Sequence, residues 1–192
     1  IHAIMHVMIS LEQSSAEIPK PVCISVSSAM HGLIAVDAAG KPLSNCMIWA
    51  DRRSENIAVA LEASEAGRLL YQQTGTPIHP MSLLCKLMWL KSNDQKLFAQ
   101  SHKFIGIKEF LFYRLFGVYM VDHSIASATG LFDIHHLSWS GEALSLAGIS
   151  EEQLASPVPV DDILNMPSRE ISALMHSPDY TPVVLVGRDG CL

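Results

Sequence analysis

Short β-branched runs alternate along the 192-residue chain with stretches whose apolar residues recur at helical spacing. Four of the short runs predict strands, and they cover Val22–Val26, Leu33–Asp37, Cys46–Trp49 and Thr181–Val186. The second and third runs flank a tight connection that contains Gly40 and Pro42, which predicts an antiparallel pair. Prolines follow the apolar stretch 1–16, so this stretch predicts a helix that ends before the first strand.

The middle of the chain predicts a series of helices that are joined by short strands. Apolar spacing and flanking caps predict helices after Ser54 to about Tyr71 and over Leu83–Lys91, Asn93–Gln100, Ile107–Phe116 and Trp139–Ala147. Gly117 and Gly148 are placed to end the last two helices, and Ser140 is a plausible N-cap. Shorter apolar runs predict strands at Phe104-Ile105, Tyr119–Val121 and Leu131–Ile134, with a polar helix or turn over Asp122–Ala128.

The first strand breaks at two serines and a glycine, and the break holds Met30 and His31. Ligands in open α/β sheets bind beyond the carboxyl ends of strands, so this break is the first candidate binding site. A Met-His pair at a strand end is also common in core packing. The residues alone leave both interpretations open.

Two later strand ends carry an aspartate each. Asp51 follows the Cys46–Trp49 run, where it is either the N-cap of the next helix or a ligand contact. Asp189 follows the last strand and lies in the sequence Gly187-Arg188-Asp189-Gly190. Glycines allow the backbone to approach a ligand closely, but Asp-Gly is also a common turn signal. A shared site requires these strand ends to face one cleft.

Composition excludes several classes of function. The net charge of −6 gives no support for nucleic-acid binding, and no apolar run reaches the roughly 18 residues that span a membrane. The four cysteines form no C-x-x-C pair, which predicts free thiols in a reducing, cytoplasmic compartment. The chain also lacks a G-x-x-x-x-G-K-[ST] loop, so these 192 residues show no sign of a kinase of the P-loop type.

Several motifs together resemble the FGGY carbohydrate kinases, and within that family the gluconokinases, with xylulokinases next. The resemblance lies in Ser27–Gly32, Trp49–Ser54, Ile78–Ser82, Lys86–Leu90, Ala126–Asp133 and Gly187–Gly190. It implies an α/β fold of the RNase H-like type found in actin and hexokinase, a mixed sheet flanked by helices. Residues 1–192 are then expected to be part of the N-terminal sugar-binding domain, without its first strands and without the C-terminal ATP-binding domain.

The resemblance also implies the site. Met30 and His31 match the sugar-contacting pair of the family, and Asp51 and Met81 match further substrate-binding positions. Asp189 matches the aspartate that acts as base towards the attacking hydroxyl. The implied substrates are a sugar or sugar acid and ATP with Mg²⁺, and the residues that hold ATP and the metal are expected outside this chain. A homodimer is left open.

Departures from the family pattern keep two function classes open. The Asp-x-Gly-Thr-Thr phosphate loop of the family has no match here, and Arg188 precedes the aspartate in place of a small residue. Arg188 would either lower the pKa of that aspartate or contact a carboxylate or phosphate. The chain is therefore expected to be an incomplete piece of a sugar kinase, inactive alone, or else a non-catalytic sugar-binding module. Retention of Asp189 favours the kinase.

Overall fold

The computed structural model of the chain describes residues 6, 7, 10, 24–164, 183 and 184. The strands are β1 (Ile24–Ser25), β2 (Ile34–Val36), β3 (Lys103–Ile105), β4 (Met120–Asp122), β5 (Phe132–Asp133), β6 (Ser138–Trp139), β7 (Ser156–Val158), β8 (Ile163–Leu164) and β9 (Val183–Val184). The helices are α1 (Glu55–Glu62), α2 (Glu65–Thr74), α3 (Leu83–Asn93), α4 (Gln95–Gln100), α5 (Ile107–Phe116), α6 (His123–Ser127) and α7 (Gly141–Ala147). A short 3₁₀ helix covers Glu151–Gln153.

The strands pair in several small sheets of mixed direction. Strand β1 is parallel to β9, which is antiparallel to β8. Strand β2 is antiparallel to β3, β4 is parallel to β7, and β5 and β6 form an antiparallel hairpin. The mixed α/β architecture that the chain pattern indicates is thus present in the described residues.

Local sequence determines where most helices begin. The side chains of Ser64, Ser82, Asp94, Asp122 and Ser140 each accept a hydrogen bond from the backbone N–H three residues later. Such caps satisfy backbone donors that have no partner within the helix. The predicted N-cap at Ser140 is confirmed, and Gly117 and Gly148 end their helices in the left-handed conformation, as predicted.

Helix α3 lies at the centre of the main hydrophobic core. Its residues Leu84, Leu87 and Leu90 are at most 1% exposed, and they pack with buried side chains of the other elements. Strand β2 contributes to the same core through Ala35, whereas Ile34 and Val36 pack on its other face against Ile105. The core therefore anchors α3 between the segments that follow β1 and β2.

Several element boundaries differ from the prediction. The run Cys46–Trp49 makes a single antiparallel bridge between Leu33 and Met47 rather than a regular strand, although the predicted antiparallel direction is confirmed. The single helix predicted to Tyr71 is two helices that meet at Ser64, because that residue caps a new helix. The predicted helix from Trp139 begins only at Gly141, since Trp139 pairs in β6.

Other predicted segments lie largely outside the described residues. These are the helix over 1–16, the outer parts of the first and last predicted strands, and the Gly187–Gly190 turn. No helix in the described part of the chain is long and apolar enough to cross a membrane.

Candidate functional site

The Met30-His31 turn begins six residues after the start of β1 and contains a residue with an unusual backbone conformation. His31 adopts a φ of 59°, in the left-handed region that non-glycine residues rarely occupy. Met30 is partly buried and packs against the main core, as the packing interpretation expects. The His31 ring differs, because its Nδ1 atom is buried and has no hydrogen-bond partner among the described residues. The pair thus consists of a packing residue, Met30, and a polar residue, His31, whose Nδ1 atom has no hydrogen-bond partner among the described residues.

The surroundings of His31 favour a neutral imidazole. Burial lowers its pKa below 6.5, and the nearby charges of Lys86 and His79 lower it further, against a smaller opposing effect of the Ala128 carbonyl. At pH 7 the ring is therefore uncharged and offers one donor and one acceptor. This is the state that can hydrogen-bond a hydroxyl group in either direction.

Lys86 ties the His31 turn to the segment after β2. Its side chain is fully buried, and its Nζ donates to the carbonyl oxygens of His31, Ile48 (2.9 Å) and Met47 (3.3 Å). Burial lowers the pKa of Lys86 to about 8, although Asp51 opposes this shift. One ammonium group thus fixes two backbone segments that are distant in sequence.

Sequence reasoning used Lys86 only as part of a family motif and assigned it no role. The signal that could have revealed it is a lysine within the apolar run Leu83–Leu90, because a charge among buried positions needs partners. The pattern cannot say which partners it has, since they lie 38–55 residues away along the chain.

Asp51 lies between the Cys46–Trp49 run and helix α1 but does not cap that helix. Helix α1 begins at Glu55 with Ser54 as its N-cap residue, so the N-cap interpretation of Asp51 is wrong. Instead the Asp51 carboxylate forms an ion pair of 2.7 Å with Arg53, which lowers the pKa of Asp51. Arg53 also lies over the ring of Trp89, 4.9 Å from its centroid. A role for Asp51 in binding substrate stays a prediction.

Met81 lies in the tight turn before α3. Its backbone N–H donates to Nδ1 of His79 (3.2 Å), and its side chain is partly buried. The hydroxyl of Ser54 donates to the carbonyl of Pro80 (2.8 Å), which holds this turn against the start of α1. The structure therefore joins the Met81 turn to the segment that contains Asp51, while substrate contact by Met81 stays a prediction.

A small cleft opens beside His31. It is lined by residues 28–32, the start of α5 and parts of the segment 125–129. Met30 and His31 line this cleft, whereas Asp51 and Met81 are not among its lining residues. Asp189 lies outside the described residues, so the meeting of the two strand ends stays a prediction.

Sequence reasoning missed two buried acidic groups, Glu109 and Asp122. Glu109, the third residue of α5, lines the cleft and is only 6% exposed. Asp122 forms a buried ion pair of 2.7 Å with Lys108 and caps α6 through its other oxygen. The sequence signal was the charged pair Lys108-Glu109 near the start of an apolar helix. The hydrophobic pattern alone does not indicate which residues these two charged side chains contact.

The described residues provide hydrogen-bonding groups rather than a metal centre. They contain no group of three or more His, Cys, Asp or Glu side chains that could hold a metal ion. The cleft instead presents imidazole, carboxyl, hydroxyl and backbone groups among apolar side chains. This mixture suits a molecule that carries several hydroxyl groups.

Comparison with known proteins places the chain among sugar kinases. The family model described as "FGGY family of carbohydrate kinases, N-terminal domain" matches residues 1–192. The gluconokinase of Bacillus licheniformis is 42% identical over 173 residues, which cover 90% of this chain and 34% of that protein. The gluconokinase of Bacillus subtilis is 43% identical over 169 residues, which cover 88% of this chain and 33% of that protein.

Solved structures give the same result for the fold. A ligand-bound xylulose kinase from Lactobacillus acidophilus matches with a TM-score of 0.89 at 30% identity, over 98% of this chain and 38% of that one. A gluconate kinase from the same organism matches with a TM-score of 0.87, also at 30% identity and over the same shares. The predicted RNase H-like α/β fold is confirmed, and the chain spans about a third of the length of the gluconokinases it matches.

Proposed function

This chain belongs to the FGGY family of carbohydrate kinases, and we propose that it is the sugar-binding part of a kinase that converts gluconate to 6-phosphogluconate with ATP. The observation that carries the site is the His31 turn: its imidazole ring lines the cleft, and the buried Nδ1 atom has no hydrogen-bond partner among the described residues. The choice of gluconate is supported by two gluconokinases at 42–43% identity. We place ATP and Mg²⁺ on parts of the complete kinase outside the described residues.

The proposed reaction needs a base for one sugar hydroxyl. We assign this role to Asp189, whose carboxylate would accept the hydroxyl proton while the oxygen forms a bond to the γ-phosphorus and ADP leaves. Phosphoryl transfer asks the protein mainly to position groups and to stabilise charge. The described residues would help to position the sugar, because Nζ of Lys86 donates a hydrogen bond to the carbonyl of His31 and so fixes the His31 turn.

Xylulose is the second candidate substrate, because the xylulose kinase structure overlays this chain as well as the gluconate kinase structure does. Steady-state kinetics of the complete kinase with gluconate, xylulose and glycerol would separate the candidates. We expect kcat/KM to be highest for gluconate. A higher value for another sugar would reassign the substrate, and sugar binding without any phosphorylation would indicate a non-catalytic module.

We expect His31→Ala in the complete kinase to raise KM for the sugar by roughly 5- to 150-fold, with KM for ATP nearly unchanged. The reason is that removal of one or two hydrogen bonds to a polyol costs about 1–3 kcal/mol. His102→Ala is a matched control, because His102 is exposed and does not line the cleft. An unchanged sugar KM and kcat in His31→Ala would reduce the Met30-His31 turn to a packing element.

A further inference from the structure

Glu109 has an oxygen atom that the fold buries without giving it a partner. Its side chain lies at the third position of α5, and its Oε2 atom is buried with no hydrogen bond to any described residue. Buried carboxylate oxygens are normally paired, because removing them from water without a hydrogen bond is costly. An unpaired oxygen at this depth therefore calls for a ligand or another functional explanation.

The neighbouring charges do not supply that partner. Lys108 is adjacent in sequence, but its Nζ bonds the Oδ2 atom of Asp122 at 2.7 Å. Backbone N–H groups of Glu109 and Gly106 stabilise the ionised carboxyl, while burial has the larger effect and raises the pKa of Glu109. The protein thus provides only part of the hydrogen bonding that this carboxyl can accept.

The cleft brings Glu109 and His31 together around one small space. Both residues line it, and both contribute a buried polar atom without a described partner, Oε2 of Glu109 and Nδ1 of His31. They come from different elements, since His31 follows β1 and Glu109 is the third residue of α5. Apolar side chains, among them Ile107 and Ile125, complete the wall.

Gly106 makes room for this carboxyl group. A Cβ atom at position 106 would lie 2.6 Å from Oε2 of Glu109, so a side chain at this position would require the Glu109 carboxyl group to shift. The backbone of Gly106 has a φ of −91°, so its conformation alone does not demand glycine. The space above residue 106 is therefore kept free for the Glu109 carboxyl.

We propose that Glu109 binds a hydroxyl group of the sugar in this cleft, beside His31, and makes the kinase specific for substrates that carry that hydroxyl. This inference rests on the proposed sugar-kinase function. A carboxyl oxygen accepts a hydrogen bond from a hydroxyl, whereas a substrate without that hydroxyl leaves the buried oxygen unpaired. Sites built around such a bond discriminate strongly against the deoxy analogue.

The test combines variants with single-hydroxyl deletions of the substrate. The complete kinase and its Glu109→Ala and Glu109→Gln variants are assayed with the sugar and with each of its monodeoxy analogues. We expect Glu109→Ala to lower kcat/KM by about 10- to 100-fold for the sugar and for every analogue but one. With the analogue that lacks the bound hydroxyl, parent and variant should agree within about twofold. Loss by one common factor for all substrates would overturn the proposal and leave Glu109 a helix-capping residue.

A second variant moves the carboxyl group without removing it. Gly106→Ala should displace Glu109 and reproduce the same substrate-selective loss, even if Glu109→Ala folds poorly. Gly141→Ala is the matched control, because Gly141 also lies at a helix start but has open space around its added Cβ. Wild-type selectivity in Gly106→Ala would contradict the proposal.

The outcome for Glu109 is separable from the outcome for the proposed function. Activity of the parent on gluconate tests the function, and the variants are compared on whichever sugar the parent phosphorylates best. A kinase for another sugar that shows the selective pattern would overturn only the gluconate assignment. A gluconate kinase without the pattern would overturn only the role of Glu109.

Discussion

Asp189→Asn is expected to lower kcat of the complete kinase by roughly 10²–10⁴-fold, the usual contribution of general acid–base catalysis. The amide keeps the size and hydrogen-bonding shape of the carboxyl group but cannot take a proton from the attacking hydroxyl. KM for the sugar should change much less, because an amide can still hydrogen-bond a hydroxyl. Steady-state kinetics with the preferred sugar and saturating ATP measure both quantities.

The competing interpretation of Asp189 makes the opposite prediction. If the residue only forms an Asp-Gly turn, asparagine should be well tolerated, and activity should be retained with at most a modest loss of stability. Asp161→Asn serves as the control, since Asp161 is exposed in a turn after β7. A variant that keeps more than about half of the parental kcat would remove Asp189 from the proposed mechanism.

Lys86→Met is expected to lower the free energy of unfolding by roughly 2–4 kcal/mol, since it removes charge-assisted hydrogen bonds to buried carbonyls. The carbonyl of His31 would lose its bond to Nζ, while those of Met47 and Ile48 keep backbone partners in Leu33 and Asp51. Methionine fills a similar volume, so cavity formation contributes little. Urea unfolding measures the loss, and hydrogen exchange should show it at residues 28–32.

The control for this comparison is Lys96→Met, which replaces an exposed lysine on the adjacent helix α4. Its unfolding midpoint should match that of the parent. If Lys86→Met were as stable as this control and kept normal exchange at residues 28–32, the ammonium group would not be what fixes the His31 turn.

The difference in stability between the parent and Lys86→Met should be larger at high pH. Burial lowers the pKa of Lys86 from 10.5 to about 8 in the folded protein. Between these values the unfolded chain binds more protons, so the stability of the parent relative to Lys86→Met rises with pH across this window. Urea unfolding of both proteins at pH 7.5 and pH 10 measures the change. A constant difference would mean that Lys86 titrates normally.

The sequence was sufficient for features that depend on near neighbours. Ser140 caps α7 and Gly148 ends it, as predicted, because both effects act within one helical turn. The break after the first strand was also found from local composition, and His31 does adopt an irregular backbone there. Where local signals compete, the prediction was less accurate, as at Asp51, which pairs with Arg53 instead of capping α1.

Tertiary structure alone decided how the site is held together. The lysine in the apolar run Leu83–Leu90 has partners 38–55 residues away, and only the packing of α3 against the segments after β1 and β2 brings them within reach. Sequence reasoning assigned no role to Glu109 in the apolar helix, but the fold buries it beside His31. Hydrophobic periodicity records which positions are buried, whereas the pairing of buried polar groups depends on distances between segments that are remote along the chain.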